Sequence, residues 1–499
     1  MELKDIEDWG KRRGIFYPSC EIYGGLSGIY DYGPVGAGMK KNFENLWKEF
    51  FLSLSDNYFE IDSSLIMSEP VFVASGHIEN FIDPIVKCKK CGRMEKADQL
   101  IATKIKGDFD GLSEKQLNEL IAKHKIKCPS CSGELSEVGK MNLMFSFPFG
   151  PMSQEKAYLR PETAQGPYVN FLRAFQSMRK KLPMGLAVIG KAFRNEISPR
   201  QLIVRQREFT QAELQIFFDP AKIDEFEKWD EIKDYELIVL FADERKTGAK
   251  KIKAKKMAKK LPKFYVAHLV YVQKFYLNVL GLSEKKFRLK ELIGDEKAFY
   301  NKYHWDVEFY FESLKEYKEI GGVHYRTDHD LSGHQKISKT SHEIFWDGKK
   351  ILPHVLELSF GVDRSLLAII DNGWKKEGDR FFLSVNPKIS FNSVSVFPLV
   401  SKDKVDDKAK EIYERLKERM KGVRIFYDDA GSIGKRYARA DEIGTPIDVT
   451  IDYQTLKDNT VTLRDRDTTK QIRVSVDKLE SVIHKILEGE KLEKFGEFI

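Results

Sequence analysis

Residues 190–213 concentrate charged side chains that could bind a nucleotide. Two runs of strand-forming residues, AVIGKAF and LIVRQREF, flank a turn at Ser198-Pro199, and side-chain alternation places one set of charges on a shared face. Arginine pairs bidentately with phosphate, and the ring of Phe209 can stack on a base. The stretch therefore indicates a nucleoside triphosphate site, with a solvated hairpin of surface ion pairs as the alternative. Its charged residues are Arg194, Glu196, Arg200, Arg205, Arg207, Glu208 and Glu213.

Four of the five cysteines form two C-x2-C pairs, which is the spacing of metal-binding hooks. They are Cys88, Cys91, Cys128 and Cys131. Four thiolates arranged in this way suit zinc. Two disulfides are the alternative, but they would need an oxidising compartment, and nothing in the sequence suggests export. Because four thiolates leave no open coordination position, the spacing predicts a structural zinc ion in an inserted module.

The composition restricts the class of protein. A hydrophobic fraction of 42% describes a soluble globular chain, and a net charge of +7 permits nucleic-acid binding without requiring it. No apolar run approaches the ~18 residues needed to span a bilayer. The N-terminus mixes acidic and basic residues where a signal peptide would have an apolar core. We therefore expect a cytoplasmic protein with no membrane partner.

Residues 246–263 form a block of lysine and alanine, KTGAKKIKAKKMAKKLPK. Such a block is expected to be helical or mobile and to attract phosphate. A solvated helix face, or lysines retained for thermal adaptation, would explain it equally well.

The elements that must position the charged stretch follow from the remaining patterns. Apolar residues at helical spacing predict an amphipathic helix over 35–55, and the strand-like run YFEIDSSLIM follows it and stops at Pro70. Long β-runs with few βαβ alternations predict an antiparallel sheet flanked by helices. Beyond Phe391, strands alternate with helices, which is typical of a compact α/β domain.

The predicted fold class is α+β, and the chain divides into four parts. The main antiparallel-sheet domain comprises residues 1–84 and 141–390. Residues 85–140 form a zinc-ribbon-like insertion, 220–300 a lysine-rich helical insertion, and 391–499 the α/β domain.

Three separated elements resemble the signature motifs of class II aminoacyl-tRNA synthetases. The helix, strand and Pro70 resemble motif 1, which forms the dimer interface in that family. FRNE with RQREF, within 193–209, resembles motif 2, and GVDR at 361–364 resembles motif 3. More narrowly, EIYGGLSGIYDYGP, ASGH, RPETAQG, FRNEISPR and GSIGKRYARADEIGTP resemble the dimeric glycyl-tRNA synthetases. This resemblance covers nearly the whole chain.

The resemblance implies a class II catalytic domain followed by an anticodon-binding domain. It implies ATP-dependent ligation of glycine to tRNA(Gly) through a glycyl-adenylate, with transfer to the 3'-terminal ribose. Activation is an in-line attack by a carboxylate on the α-phosphorus, so catalysis consists mostly of positioning and charge neutralisation. The implied cofactors are ATP, Mg²⁺ and structural zinc, and the implied assembly is a homodimer through motif 1.

The resemblance also implies roles for the ATP site. Arg194 would hold the α-phosphate and the glycine carboxylate, Glu196 would contact the adenine end, and Phe209 would stack on the base. Arg205 would reach the β- or γ-phosphate, and Arg364 would complete the clamp. Of these, Arg194, Glu196 and Arg364 are the implied catalytic residues. The full implied ATP set is Arg194, Asn195, Glu196, Val204, Arg205, Gln206, Arg207, Glu208, Phe209, Glu319, Ile320, Gly361, Val362, Asp363 and Arg364, with Glu319 as the Mg²⁺ ligand.

Glycine has no side chain to grip, so its pocket must exclude a β-carbon and supply acceptors for the ammonium group. In this family the acceptors are carboxylates, here Glu162, Glu213 and Glu357, with Arg326 facing the substrate carboxylate. For Glu162, a helix N-terminal charge after Pro161 is an alternative. The full implied set is Lys96, Glu162, Phe209, Thr210, Gln211, Ala212, Glu213, Arg326, Glu357, Leu358, Ser359, Phe360 and Gly361.

The chain departs from the family pattern at two positions. Leu358 stands where the family usually has proline between Glu357 and Ser359, which puts their pose in doubt. Lys96 stands where the family commonly has arginine, so the charge is kept and the fork geometry is lost.

Two other classes of protein share parts of this pattern. A non-catalytic binding protein on the same fold should have lost the ATP arginines, which are present here. An ATP-dependent ligase that does not use tRNA would need no anticodon reader. For the lysine block, a contact with the tRNA acceptor stem and a disordered tether both remain open.

Overall fold

The computed structural model describes residues 2–105, 107, 109, 111–151, 155–199, 201–298 and 300–499. Arg200 of the charged stretch lies outside the described residues. None of the helices in the described part is long and apolar enough to cross a bilayer.

The strands are β1 (Phe16–Pro18), β2 (Tyr30–Tyr32), β3 (Tyr58–Glu60), β4 (Ile66–Ser68), β5 (Ile82–Lys87), β6 (Met94–Lys96), β7 (Gly139–Asn142), β8 (Ser146–Pro148), β9 (Lys156–Leu159), β10 (Met184–Phe193), β11 (Glu208–Phe218), β12 (Glu236–Leu240), β13 (Lys250–Lys253), β14 (Phe287–Leu292), β15 (Tyr303–Phe311), β16 (Glu316–Thr327), β17 (Ile344–Trp346), β18 (Lys349–Ile351), β19 (His354–Gly361), β20 (Trp374–Glu377), β21 (Arg380–Leu383), β22 (Val394–Pro398), β23 (Ile425–Tyr427), β24 (Ile447–Ile451), β25 (Thr460–Asp465) and β26 (Gln471–Ser475).

The helices are α1 (Leu3–Arg13), α2 (Pro34–Leu52), α3 (Glu69–Ala74), α4 (His77–Asn80), α5 (Ala97–Ala102), α6 (Glu114–Lys123), α7 (Gln165–Ser177), α8 (Trp229–Ile232), α9 (Ala254–Met257), α10 (Lys263–Lys274), α11 (His329–Ser338), α12 (Val362–Gly373), α13 (Val405–Arg419), α14 (Ile433–Glu442), α15 (Thr455–Asp458) and α16 (Leu479–Leu487).

A nine-stranded sheet organises the main domain, with the order β13-β12-β14-β15-β16-β19-β11-β10-β3. Its pairs are antiparallel except β10 with β3 and β12 with β14, which are parallel. The long helix α2 packs Met39, Phe43, Trp47 and Phe51, spaced four residues apart, into the core beneath this sheet. Helix and sheet together confirm the α+β fold class.

The predicted helical character of residues 220–300 is wrong for part of that segment. Strands β12, β13 and β14 extend the nine-stranded sheet at one edge. The run ELIVL in β12 is apolar and almost wholly buried, which favours a strand in a sheet over a solvated helix.

The lysine block likewise contains strand β13 and the short helix α9. Lys253 and Lys255 contact Asp234 at 3.4 and 2.7 Å, so acidic neighbours on the sheet edge partly neutralise it.

Two smaller units accompany the main sheet. The order β6-β5-β7 forms a three-stranded sheet that packs with α5 and α6 around its own apolar cluster. The order β23-β22-β24-β25-β26 forms a mixed sheet with a second core over residues 394–492. The exact boundaries given for the four predicted parts stay predictions.

Candidate functional site

One face of the nine-stranded sheet carries the candidate site. Strand pairing sets Glu213 of β11 opposite Ser359 of β19, and Gln215 opposite Glu357. The same register sets Glu357 opposite His324 of β16. Because directly opposed residues point to the same side of a sheet, these five side chains form a continuous polar surface.

A β-bulge extends this surface toward the residues predicted to bind ATP. The register of β15 against β16 shifts between Val307 and Glu308, so Glu308 opposes Glu319 while Asp306 opposes Gly322. The extra residue, Ile320, is buried in the core. A bulge changes which residues of a strand face one side. Glu319 therefore lies on the same face as His324.

A cleft opens over this face. Fourteen of the sixteen residues that line it belong to the predicted set. The lining residues are Arg194, Glu196, Ile203, Val204, Arg205, Gln206, Phe209, Thr210, Gln211, Glu319, Ile320, Gly321, Ser359, Gly361, Asp363 and Arg364. Ile203 and Gly321 are the two that the sequence did not suggest.

The guanidinium of Arg194 is held between two aromatic rings. It lies 5.3 Å from the ring centres of both Phe81 and Phe209, and its Nε donates to the carbonyl of Pro161 at 3.1 Å. Cation–π contacts on two sides restrict the side chain's freedom. Arg194 is thus fixed at the wall of the cleft before any ligand binds.

Two further arginines of the cleft are paired with acids. Arg205 contacts Glu196 at 3.0 Å, and Arg364 contacts Glu319 at 3.1 Å. Arg364 also donates from Nε to the carbonyl of Val204 at 2.8 Å. These bonds aim both guanidiniums into the cleft and place two carboxylates beside them.

Glu213 is the most unusual acid on this face. It is buried and accepts hydrogen bonds from Thr163 at 2.7 Å, Ser359 at 2.7 Å and Gln211 at 2.9 Å, all of them neutral donors. Burial, together with the nearby charges of Glu357 and Glu162, raises the pKa of Glu213 to about 8. A cation placed beside it would restore the charged form.

Glu357 is also buried, but neighbouring side chains stabilise its negative charge. It accepts from Gln215 at 2.8 Å, from Nδ1 of His324 and from Arg326 at 3.4 Å. Burial acts to raise the pKa of Glu357, but Arg326 and His324 outweigh it and lower the pKa to about 2. Glu357 therefore stays ionised across the physiological range.

Arg326 already has carboxylate partners within the protein. Its guanidinium binds Asp330 through two bonds of 2.7 and 2.9 Å and reaches Glu357. The predicted contact between Arg326 and the substrate carboxylate would have to be added to these bonds, and it stays a prediction.

Glu162 completes a carboxylate cluster, by which we mean Glu162, Glu213, Asp330 and Glu357. Its oxygens lie 3.5 Å from Nε2 of His77 and 2.9 Å from Nε2 of Gln165. Burial opposes ionisation, but His77 and Arg326 lower the pKa of Glu162 below its ordinary value. Glu162 thus contributes a negative charge to the cluster, although α7 begins only at Gln165.

Several predicted residues do not line the cleft. Ala212, Leu358, Phe360 and Val362 are buried in the main core, and Leu358 points away from the site while its neighbours Glu357 and Ser359 face it. In this chain Leu358 fills the core, and Glu357 and Ser359 both lie on the site face. The strand register, rather than a pinned backbone, sets their direction.

Two of the predicted ATP residues instead hold the hairpin together. Arg207 donates to the carbonyls of Glu196 and Ser27 at 2.9 and 3.0 Å, and Glu208 pairs with Lys191 across the strands at 2.9 Å. Strand β11 begins only at Glu208, because residues 202–204 form a 3₁₀ turn where the sequence predicted a strand. The backbone of the turn anchors Arg364.

Asp363 links three elements below the cleft. It accepts from the hydroxyl of Tyr32 and the backbone N–H of Thr210, each at 2.5 Å, and from Lys40 at 3.2 Å. Burial would raise its pKa, but Lys40 and these hydrogen bonds lower it. Asp363 therefore fixes α12 to β2, α2 and β11.

The cysteine module lies against the charged hairpin. Glu95 of β6 accepts from the hydroxyl of Ser198 at 3.2 Å, and the N–H of Asn195 donates to the carbonyl of Leu143 at 2.7 Å. Lys96 contacts Asp83 and Asp98 at 3.0 and 3.4 Å within the module. Lys96 is thus not among the residues that line the cleft.

The four cysteine sulfurs converge at one point of the module. They lie within 4.8 Å of one another, with Cys88 3.5 Å from Cys131 and Cys91 3.7 Å from Cys128. The four-thiolate donor set fits a tetrahedral zinc ion.

Sequence reasoning missed several polar partners of the site. They are His77, Thr163, Tyr168, Gln215, His324 and Asp330. Gln215 could have been found from strand alternation, since it lies two residues beyond Glu213. Asp330 lies four residues beyond Arg326, so its pairing is also local. His77, Thr163, Tyr168 and His324 depend on contacts between distant parts of the chain, which carry no local signal.

Comparison with known proteins assigns both large units. Residues 147–373 match the tRNA synthetase class II core domain (G, H, P, S and T), and residues 393–486 match the anticodon binding domain. A protein of Pyrococcus furiosus called glycine–tRNA ligase is 38% identical over 97% of this chain and 99% of its own. Relatives with that name in Pyrococcus horikoshii (38%; 97% and 98%) and Methanocaldococcus jannaschii (36%; 95% and 97%) are similar over comparable shares.

Proposed function

The chain belongs to the glycine–tRNA ligase family of class II aminoacyl-tRNA synthetases, and from that premise we propose how its own residues ligate glycine to tRNA. The enzyme activates glycine with ATP and transfers it from the adenylate to the 3'-terminal ribose of tRNA(Gly). The observation that carries the proposal is a single sheet face on which an arginine-lined cleft adjoins a buried cluster of carboxylates.

The arginines provide charge neutralisation for two anionic reactants. Arg194, fixed between Phe81 and Phe209, holds the α-phosphate and the glycine carboxylate as the new bond forms. Arg205 and Arg364 neutralise the remaining phosphates from opposite sides of the cleft. Preorganised donors of this kind act without reorganisation during the reaction, and no side-chain nucleophile is required.

The adenine end is held by Phe209 and Glu196. The ring of Phe209 borders the cleft and offers a stacking surface, while Glu196 is positioned by its 3.0 Å contact with Arg205. A base that stacks on Phe209 would lie close to Arg194, which contacts the same ring.

The carboxylate cluster recognises the glycine ammonium. Glu213 has only neutral hydrogen-bond donors, and its hydroxyl partner Ser359 lines the cleft. An ammonium ion bound here would pair with a carboxylate that has no bond to a cationic side chain among the described residues. Side chains of the strands would close this pocket, so that an amino acid larger than glycine would be excluded because its β-carbon would clash with them.

Two metal groups fit the residues present. Glu319 lines the cleft and would hold Mg²⁺ with its free oxygen, because Arg364 contacts Oε2. Mg²⁺ would supply further neutralisation of the phosphates. Cys88, Cys91, Cys128 and Cys131 would hold structural zinc, which would fix the module that contacts Ser198.

The remaining assignments concern partners. We propose that the domain at 391–499 reads the anticodon, that α2 and the motif 1 strand form a homodimer interface, and that the enzyme works in the cytoplasm. For residues 246–263, acceptor-stem binding competes with a purely structural role, since two of these lysines pair with Asp234.

Glycine-dependent ATP–pyrophosphate exchange tests the assignment. Arg194→Ala should lower exchange by about 10³-fold because it removes a fixed donor from the transition state. Arg173→Ala, an exposed arginine of α7 outside the cleft, should leave exchange unchanged. Serine or alanine driving exchange as well as glycine would refute the specificity.

Metal analysis tests the thiolate site separately. Purified protein should carry zinc bound by thiolates, and Cys131→Ser should lose that zinc together with the order of residues 85–140, as measured by limited proteolysis. Thiolate zinc near zero in unchelated wild-type protein would contradict the assignment.

A further inference from the structure

A second set of metal-binding side chains lies on the site face, separate from the cysteines. His304, Asp306 and His324 each offer one ligand atom, and these atoms lie within 4.8 Å of one another. His304 and Asp306 are two residues apart on β15, so they share a face, and His324 lies directly opposite His304 on β16. Strand geometry alone therefore brings the three together.

The contacts between the three groups are close. Nε2 of His304 lies 3.0 Å from an oxygen of Asp306, and the two imidazole rings are 4.2 Å apart at 80°. A tetrahedral ion with bonds of 2.0–2.1 Å separates its ligands by about 3.4 Å. Small side-chain rotations would close the present spacing to that value.

The backbone beneath His324 is adapted to its ring. A Cβ at Gly322 would lie 2.4 Å from Nε2 of His324, so the ring occupies space that only glycine leaves. Gly322 is the residue directly opposite Asp306. Nε2 of His324 therefore points toward Asp306 and away from the core.

The other nitrogen of His324 is already bonded. Nδ1 contacts a carboxylate oxygen of Glu357. A metal-binding histidine usually gives its second nitrogen to a carboxylate, which orients the ring and fixes its tautomer. The side-chain amide of Asn301 lies 3.3 Å from Nδ1 of His304, and its buried Oδ1 has no hydrogen-bond partner among the described residues. With that amide turned over, Oδ1 would accept from Nδ1–H and leave Nε2 free to bind a metal. Each imidazole then has one nitrogen anchored and one directed at Asp306.

We propose that His304, Asp306 and His324 bind a divalent transition-metal ion of the zinc class, distinct from the four-thiolate zinc and from the Mg²⁺ that accompanies ATP. Two imidazoles with one carboxylate suit zinc and its neighbours, whereas Mg²⁺ prefers oxygen ligands. Three protein ligands leave a fourth position open. The side chains retain about 15% exposure, which gives an ion access from solvent.

The proposal is tested by zinc content after equilibrium dialysis of the full-length protein against micromolar zinc. Wild type should bind two zinc ions per chain, whereas His304→Ala and Asp306→Asn should each bind one. Glu308→Gln is a charge-matched control on the same strand and face. Its carboxylate is paired with Arg288 and Lys290, so it should keep both ions.

Cobalt distinguishes the two sites without reference to activity. Cobalt at the four-thiolate site gives intense sulfur-to-metal absorption, and the second ion should add absorption that lacks this band and disappears in Asp306→Asn. Millimolar Mg²⁺ should not displace it. One zinc in wild type, two in Asp306→Asn, or displacement by Mg²⁺ would each overturn the proposal, while glycine-dependent exchange would report on the proposed function independently.

Discussion

Two regions of this molecule bury charged side chains, and they balance them differently. The carboxylate cluster gathers four acids, Glu162, Glu213, Asp330 and Glu357. Arg326 bonds two of them, Asp330 and Glu357, and lowers the pKa of Glu162, whereas Glu213 has no bond to a cation among the described residues. Where the mixed sheet meets the main domain, three arginines face three acids in what we call the junction network: Arg380, Arg464 and Arg466 with Asp441, Asp448 and Asp467.

In the junction network each arginine is bonded to an acid of the same network. Arg464 binds Asp441 and Asp448 at 2.8 Å, and Arg380 binds Asp441 at 2.9 Å. Arg464 acts to lower the pKa of Asp448, but burial outweighs it and raises that pKa to about 8. Balanced charges thus join two units, whereas the excess of acid in the carboxylate cluster leaves room for a cationic substrate.

The largest effect is expected from removing one positive charge from the junction network. Arg464→Ala should lower the free energy of unfolding by about 3–5 kcal/mol, because it removes the cation bonded to buried Asp448 and one of the two bonded to buried Asp441. Urea unfolding of the C-terminal domain measures the effect. Arg419→Ala, an exposed arginine 3.6 Å from Glu480, should cost less than about 1 kcal/mol. Equal effects for the two variants would show that burial does not matter here.

A second change removes charge from the carboxylate cluster. Glu213→Gln should lower kcat/KM for glycine about 100-fold, which is near 2.7 kcal/mol, because the ammonium loses its carboxylate. Stability should not fall, since the amide resembles the protonated form that burial favours. Glu236→Gln, at the exposed first residue of β12 in the same sheet, is the matched control. A destabilised Glu213→Gln protein with normal glycine kinetics would reverse our interpretation.

A third test is the pH dependence of stability. The folded-state pKa of Glu213, about 8, lies above its ordinary value, so folding favours the protonated form. Its stabilising contribution is full below the ordinary pKa and is lost as pH rises toward 8, at up to about 1.4 kcal/mol per pH unit. Unfolding measured from pH 5 to 8.5 should show wild type losing stability relative to Glu213→Gln. Parallel curves would contradict the assigned pKa.

Local sequence patterns predicted the elements that depend on local spacing. The helix expected over 35–55 is observed at Pro34–Leu52, because apolar residues every four positions specify one buried face. The strands of residues 220–300 were missed, since their surrounding lysines suggested a solvated helix. Strand β12 is formed by pairing with β14, which lies about 50 residues away along the chain.

The site likewise combines features that local sequence predicts with features that depend on long-range contacts. Fourteen cleft residues were identifiable from motifs, because the chemistry of ATP requires arginines and an aromatic ring in a recognisable order. Arg207 and Glu208 make contacts within the hairpin that no motif specified, and their assignment to ATP stays a prediction. The sequence showed which residues are charged, but it did not show which partner each charged side chain contacts.

The sequence by itself determined the family, the fold class, the two cysteine pairs and the residue types of the proposed ATP and glycine sites. Only the tertiary structure decided that His324, Glu357 and Gln215 are consecutive neighbours across one sheet face, and that a bulge brings Glu319 to the same side. Register between strands distant in sequence is set by which side chains fill the core on the opposite face. That packing is a property of the whole fold and has no counterpart in any single motif.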